Sequence, residues 1–176
     1  MRIALSIAGV AILALTTAGT ALAQGSGAEA RLKQLNITLP ADQAPAANFV
    51  NSVQAGKLLF LSGNTPGGQW PLKGKVGKDL TIEQGYESAR QTGLIMLGKI
   101  RTALGSLDRV KRVVKVLGMV NSADGFSDQP KVVNGFSDLM VEVFGEAIGK
   151  HARSAVGMAG LPGNAPIEVE MIVEVE

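Results

Sequence analysis

Arg153 is the residue whose position says most about chemistry. It opens the apolar run Arg153 to Met158 directly after the turn Gly149-Lys150-His151. A guanidinium there is partly withdrawn from water, and its planar fork can grip a carboxylate. The same residue could equally be half of a surface salt bridge, which contributes little. Glu168 is either a solvated residue on the polar side of an alternating strand or an acid facing a cleft. His151, the single histidine, is either a turn or core residue or a proton carrier. Ser62 and Asn134 complete a set of polar residues at the ends of apolar strands, where a side chain can face a cleft.

Other kinds of site are excluded by what the sequence lacks. There is no cysteine, hence no disulfide, no thiolate metal site and no lipid-modified cysteine. No phosphate-binding glycine loop precedes a helix, no G-x-S-x-G is present, and no residues carry metal-ligand spacing. The reading is therefore a site without metal or cofactor. The 17 basic and 15 acidic residues are interspersed, without the basic stripe of a nucleic-acid binder.

These residues must be positioned by the surrounding elements. Phe49 to Val53 and Lys57 to Ser62 flank Gln54-Ala55-Gly56, the pattern of a hairpin, and Gly63 to Gly77 reads as loop with an irregular edge strand. Thr81 and Gln84 form a capping box opening a long helix, with Tyr86, Ala89, Gly93, Leu97, Ile100 and Leu104 as its core stripe. Gly85, Gly93 and Gly98 each cost roughly 1 kcal/mol there, a loss that close approach of the helix to a sheet would offset. Val110 to Val120 is a strand. A second helix runs from Asp128 to about Gly145, with Pro130 in its first turn and Val133, Phe136, Met140 and Val143 on one face. Arg153 to Met158 and Ile167 to Glu176 are the last strands, the latter alternating apolar and mostly acidic residues. The order is β-β-α-β-α-β-β, an α+β fold.

In the central strand, Val113, Leu117 and Met119 occupy one face and Val114, Val116 and Val120 the other, so both faces require cover. Two helices cover one face, which leaves the second for neighbouring copies of the chain. The monomeric alternative places a short helix, Arg31 to Leu39, over that second face.

The chain begins with Arg2, an apolar run from Ile3 to Leu15, small and polar residues, and Ala21-Leu22-Ala23. That is the tripartite pattern of a cleavable signal peptide, and the run is too short for a membrane anchor, which needs roughly 20 apolar residues. The expected organisation is a signal peptide over residues 1–23, an N-terminal segment with the short helix over 24–44, and one domain over 45–176, exported to a periplasm or the medium.

The segments Ala44-Pro45-Ala46-Ala47, Leu59-Phe60-Leu61-Ser62-Gly63-Asn64-Thr65-Pro66, Ala152-Arg153-Ser154-Ala155-Val156-Gly157-Met158-Ala159-Gly160-Leu161-Pro162 and Ile167-Glu168-Val169-Glu170 resemble the Rid family. Its name stands for reactive intermediate deaminase, and it is also called YjgF or endoribonuclease L-PSP. The resemblance runs from about Pro45 to Glu174. It implies a chorismate-mutase-like sheet with two long helices on one face, a homotrimer with clefts between subunits, and hydrolysis of 2-imino acids and enamines to 2-oxo acids and ammonia. By position it makes Arg153 the carboxylate-binding arginine and Glu168 the acid that positions water, with Ser62 and Asn134 lining the cleft. Two residues depart from the family pattern: Phe49 stands where active deaminases usually have tyrosine, and His151 stands where many have proline. A non-catalytic trimer that binds small carboxylates or protects other proteins is the second reading. A ribonuclease is the third, disfavoured because there is no histidine pair and only Trp70 and Tyr86 stand out for stacking bases.

Overall fold

The computed structural model describes residues 27–176, and the expected signal peptide lies outside them. The longest helix, α2 (Ile82–Leu104), starts where Thr81 and Gln84 cap each other. The Thr81 hydroxyl accepts from Gln84 N at 3.2 Å, and the Gln84 side-chain oxygen accepts from Thr81 N at 2.9 Å. Two otherwise orphaned N–H ends are thereby satisfied. Helix α3 (Gln129–Phe144) carries Pro130 in its first turn and buries Val132, Val133, Phe136, Leu139, Met140 and Val143. A further single turn, α4 (Glu146–Gly149), follows it and was not legible in the sequence.

Five strands, β1 (Ser52–Ala55), β2 (Leu58–Asn64), β3 (Val110–Asn121), β4 (Ala152–Met158) and β5 (Ile167–Val175), form one sheet in the order β1-β2-β5-β3-β4. Only β3 and β4 pair in parallel, as a strand–helix–strand crossover through α3 requires. Ile167, Val169, Met171, Val173 and Val175 of β5 are all buried and face the two long helices.

Three expectations need correction. In β3 the register against β5 shifts twice, between Val110 and Arg112 and between Val113 and Lys115. Each extra residue reverses the alternation that follows, so Val110, Val113, Val116 and Val120 all end up buried, while Leu117 and Met119 lie half-buried on the opposite face. The helical glycines do not serve contact with the sheet. A side chain at Gly93 would strike Leu139 of α3, and one at Gly98 would come within 2.6 Å of the Pro40 carbonyl oxygen. The close approaches are to the neighbouring helix and to the N-terminal segment.

The short helix, α1 (Ala28–Gln34), begins and ends earlier than expected, because Asn36 takes a left-handed conformation at φ 52° and breaks the Leu32, Leu35, Leu39 spacing. Leu32 is buried and Leu35 is 43% exposed. The helix docks on the helical layer: Glu29 accepts from Arg101 at 2.7 and 3.0 Å and from Leu107 N, and Arg31 Nε donates to Glu142 O. It therefore does not cover the second face of the sheet. On that face Val53 and Val156 are 55% and 41% exposed, and Phe60 is also 41% exposed.

Candidate functional site

β4 runs parallel to β3 with Arg153 opposite Val116. Since Val116 is buried under the helices, Arg153 also points to the helical side, where α3 meets the sheet edge. Pro130, Asn134 and Ser137 are spaced by four and three along α3 and so share one stripe. Arg153 Nη1 donates to Asn134 Oδ1 at 2.8 Å and to Ser137 Oγ at 3.0 Å, and Nη2 makes a long contact of 3.4 Å to Pro130 O. Both Nη1 hydrogens are thus committed. The edge formed by Nε and Nη2 has no other partner among the described residues, and it is this edge that can present two parallel N–H groups to a carboxylate.

His151 lies between α4 and β4, with Nε2 3.1 Å from Ser137 Oγ and Nδ1 2.7 Å from Gly149 O. Its pKa is lowered by burial of the ring and, to a lesser extent, by the charge of Arg153, against the contrary pull of the Gly149 carbonyl. Burial thus favours the neutral form of the imidazole. Asn134 sits on a helix, not at a strand end as its sequence position suggested. Ser137 is the residue that sequence reasoning missed, and the available signal was helical spacing: three residues after Asn134 is the same face.

Glu168 lies on the other side of the sheet. It alternates with the buried Ile167 and Val169 and pairs with the half-buried Met119. Its carboxylate rests over Gly63, which leaves room only because it has no side chain. Burial raises its pKa, and the like charge of Glu170 adds to the rise. A carboxyl in that state can both take and return a proton.

Glu168 and Phe49 line a common cavity of roughly 780 Å³ together with Asn64, Trp70 and Lys99. Phe49 is 56% exposed and precedes β1 instead of lying within it; the intervening Val50 and Asn51 are tied to β2 by Ser62. The Ser62 hydroxyl donates to Val50 O at 2.6 Å and its N–H donates to Asn51 O. The segment is anchored further where Lys99 Nζ donates to Asn51 Oδ1 at 2.7 Å and to Asp42 Oδ1 at 3.1 Å. Ser62 also lines a second hollow, of about 410 Å³, on the open face of the sheet with Phe60, Lys115 and Ser154.

One chain thus gathers Arg153, Asn134, Ser137 and His151 on one face, and Glu168, Phe49 and Ser62 around the other. β3 lies between β4 and β5, and Met119 pairs with both Glu168 and Val156. Arg153 is three residues before Val156, so the backbones of Arg153 and Glu168 are on the order of 14 Å apart by strand spacing and rise. Their side chains point to opposite faces. The two residues do not meet within one chain.

A family model described as "YjgF/chorismate_mutase-like, putative endoribonuclease" matches residues 13–175. The chain is 47% identical over 149 residues to protein TCP17 of Trypanosoma cruzi, covering 82% of this chain and 92% of that one. It is 28% identical over 140 residues to a 2-iminobutanoate/2-iminopropanoate deaminase of Dermatophagoides farinae, covering 80% and 95% of the two chains. Among solved structures, protein Atu1372 of Agrobacterium tumefaciens, of unknown function, superposes with a TM-score of 0.76 at 40% identity, covering 84% and 91%. The strand order, the two helices on one face and the match over nearly the whole chain agree: the chain belongs to the Rid family, the YjgF/chorismate-mutase-like proteins.

Proposed function

We propose that this chain hydrolyses reactive 2-imino acids and their enamine tautomers to 2-oxo acids and ammonia, in clefts between the subunits of a homotrimer. The observation that carries this reading is the division of the site. Arg153 offers a free two-donor edge on one face, and the half-buried Glu168 waits on the other, so a neighbouring chain is needed to bring them together. The bare apolar residues Val53, Phe60 and Val156 supply a surface for that neighbour.

In the cleft, Arg153 binds the substrate carboxylate and fixes the imine carbon relative to Glu168. Glu168 accepts a proton from a water as that water adds to the carbon, returns it to the nitrogen, and takes the hydroxyl proton of the addition product as the carbon–nitrogen bond breaks and the carbonyl forms; the proton that the imine carried then passes to solvent. One water is consumed and one ammonia leaves. Orientation and proton relay are sufficient because a protonated imine is already electrophilic. Arg2, the apolar run after it and Ala21-Leu22-Ala23 support export, which would put the reaction outside the cytoplasm and make Gln24 the first residue of the mature protein. An intact mass that retains Met1 would contradict the export.

The test is to generate imines from a panel of amino acids with an amino-acid oxidase and follow 2-oxo acid release in the presence of the purified protein. Acceleration over the uncatalysed rate is expected for at least one substrate. A second reading is favoured by Phe49, whose ring has no hydroxyl to join a proton relay: a trimer that binds small carboxylates, or shields other proteins, without catalysis. No acceleration across the panel, with carboxylate binding retained, would select it over the deaminase. A ribonuclease ranks third, since Arg153 and Glu168 lie apart from any basic stripe.

A further inference from the structure

Two hydrogen bonds beside Arg153 can be given a direction from donor chemistry alone, and a third follows for the neutral ring that burial favours. The Gly149 carbonyl only accepts, so the His151 nitrogen 2.7 Å away, Nδ1, carries the ring's hydrogen. A guanidinium only donates, so Ser137 Oγ accepts from Arg153 Nη1 at 3.0 Å. The serine's single hydrogen is then free for His151 Nε2 at 3.1 Å, which in that tautomer is an acceptor. Each bond in the line joins one donor to one acceptor, and the line ends on the carbonyl of Gly149, the buried last residue of α4.

We infer that Ser137 and His151 are positioning residues for Arg153: the neutral ring, locked by Gly149, orients the serine hydroxyl so that it fixes Nη1 and leaves the Nε and Nη2 edge aimed at the substrate carboxylate. This rests on the reading of Arg153 as the carboxylate anchor and goes beyond it, because neither residue touches substrate. Without Ser137 the guanidinium would keep one short bond, to Asn134, and the long 3.4 Å contact to Pro130 O; Ser137 supplies the second short bond that sets the plane. The charged groups around the ring agree with a neutral state. From β4 comes Arg153. From the turn comes Lys150, whose ammonium is drawn to Glu146 at 2.8 Å. From α3 comes the uncharged Ser137, while the neighbouring Asp138 accepts from the Tyr86 hydroxyl at 3.0 Å.

The test uses the intact protein with 2-oxobutanoate as the carboxylate probe. Ser137→Ala should bind it about two- to tenfold more weakly than wild type, the effect of one lost hydrogen bond, and Ser137→Thr should recover most of the loss. In turnover the change should fall on KM with kcat nearly unaffected, since the carboxylate contact is common to ground and transition states. His151→Gln, whose amide oxygen can still accept from Ser137, should bind better than His151→Leu, which gives a second comparison should a serine variant fail to fold. Because the chain has one histidine, a long-range 1H–15N spectrum of the untagged protein reports this ring alone. It should show the Nδ1–H neutral tautomer, and Ser137→Ala should raise its pKa toward the ordinary imidazole value. Equal probe binding by wild type and Ser137→Ala, with Arg153→Ala still defective, would overturn the inference and leave the anchor role of Arg153 standing. An Nε2–H tautomer in the wild type would overturn it as well. Probe binding unaffected by Arg153→Ala would remove the anchor, and the positioning role with it.

Discussion

Arg153 does not act as a lone surface charge. One of its terminal nitrogens is spent on Asn134 and Ser137, which fixes the side chain while leaving its other edge free. Arg153→Ala should therefore weaken carboxylate binding or turnover by about ten- to 150-fold, the scale of a charge-assisted contact. Arg153→Lys should recover only part, since an ammonium cannot present two parallel donors. Steady-state kinetics paired with size determination checks this, and a correctly assembled Arg153→Ala protein with unchanged function would remove the assignment. His151 sets a pH dependence of stability. Its folded pKa lies below the unfolded value of about 6.5, so the unfolded chain takes up the proton first as pH falls. Stability should be unaffected by this group above that value, decline as pH drops through it, and level off below the folded pKa. Urea unfolding at a series of pH values compares wild type with His151→Gln, and the decline between neutral and mildly acidic pH should be smaller in the variant.

At the scale of elements, the packing of α2 can be tested at Gly98, where an added methyl group would press on the Pro40 carbonyl. Gly98→Ala gains helix propensity of about 1 kcal/mol, yet a clash with backbone costs typically 1–3 kcal/mol. Net destabilisation is expected in urea melts, and a stabilised variant would show that the Pro40 segment yields freely. The elements were legible where local chemistry dominates. The capping box at Thr81, the Pro130 start of α3 and the alternation of β5 all appear where the sequence placed them. Elements were misplaced where one residue changes the geometry. Two bulges in β3 turned Val113 to the helical face, and a left-handed Asn36 ended α1 early; neither leaves a mark in hydrophobic periodicity. For the site, Arg153 and Glu168 stood out by position and by family resemblance, whereas Ser137 is an ordinary helix residue in sequence and acquires meaning only when β4 is laid beside α3.

At the scale of the whole molecule, the described residues leave the second face of the sheet bare, since α1 docks on the helical layer. The division of Arg153 and Glu168 between the two faces would give the proposed assembly a chemical purpose beyond covering apolar surface. In the proposed three-fold ring each cleft would take its arginine from one chain and its acid from the next. The most direct measurement of that claim mixes two inactive variants, Arg153→Ala and Glu168→Gln, by co-expression, and assays imine hydrolysis by the purified mixed oligomer. Each variant alone should be close to inactive. Every mixed trimer contains one cleft in which an intact Arg153 meets an intact Glu168, so random assembly should restore about a quarter of the wild-type activity. A mixed preparation no more active than its parents, with light scattering showing that the chains have combined, would contradict a site shared between chains.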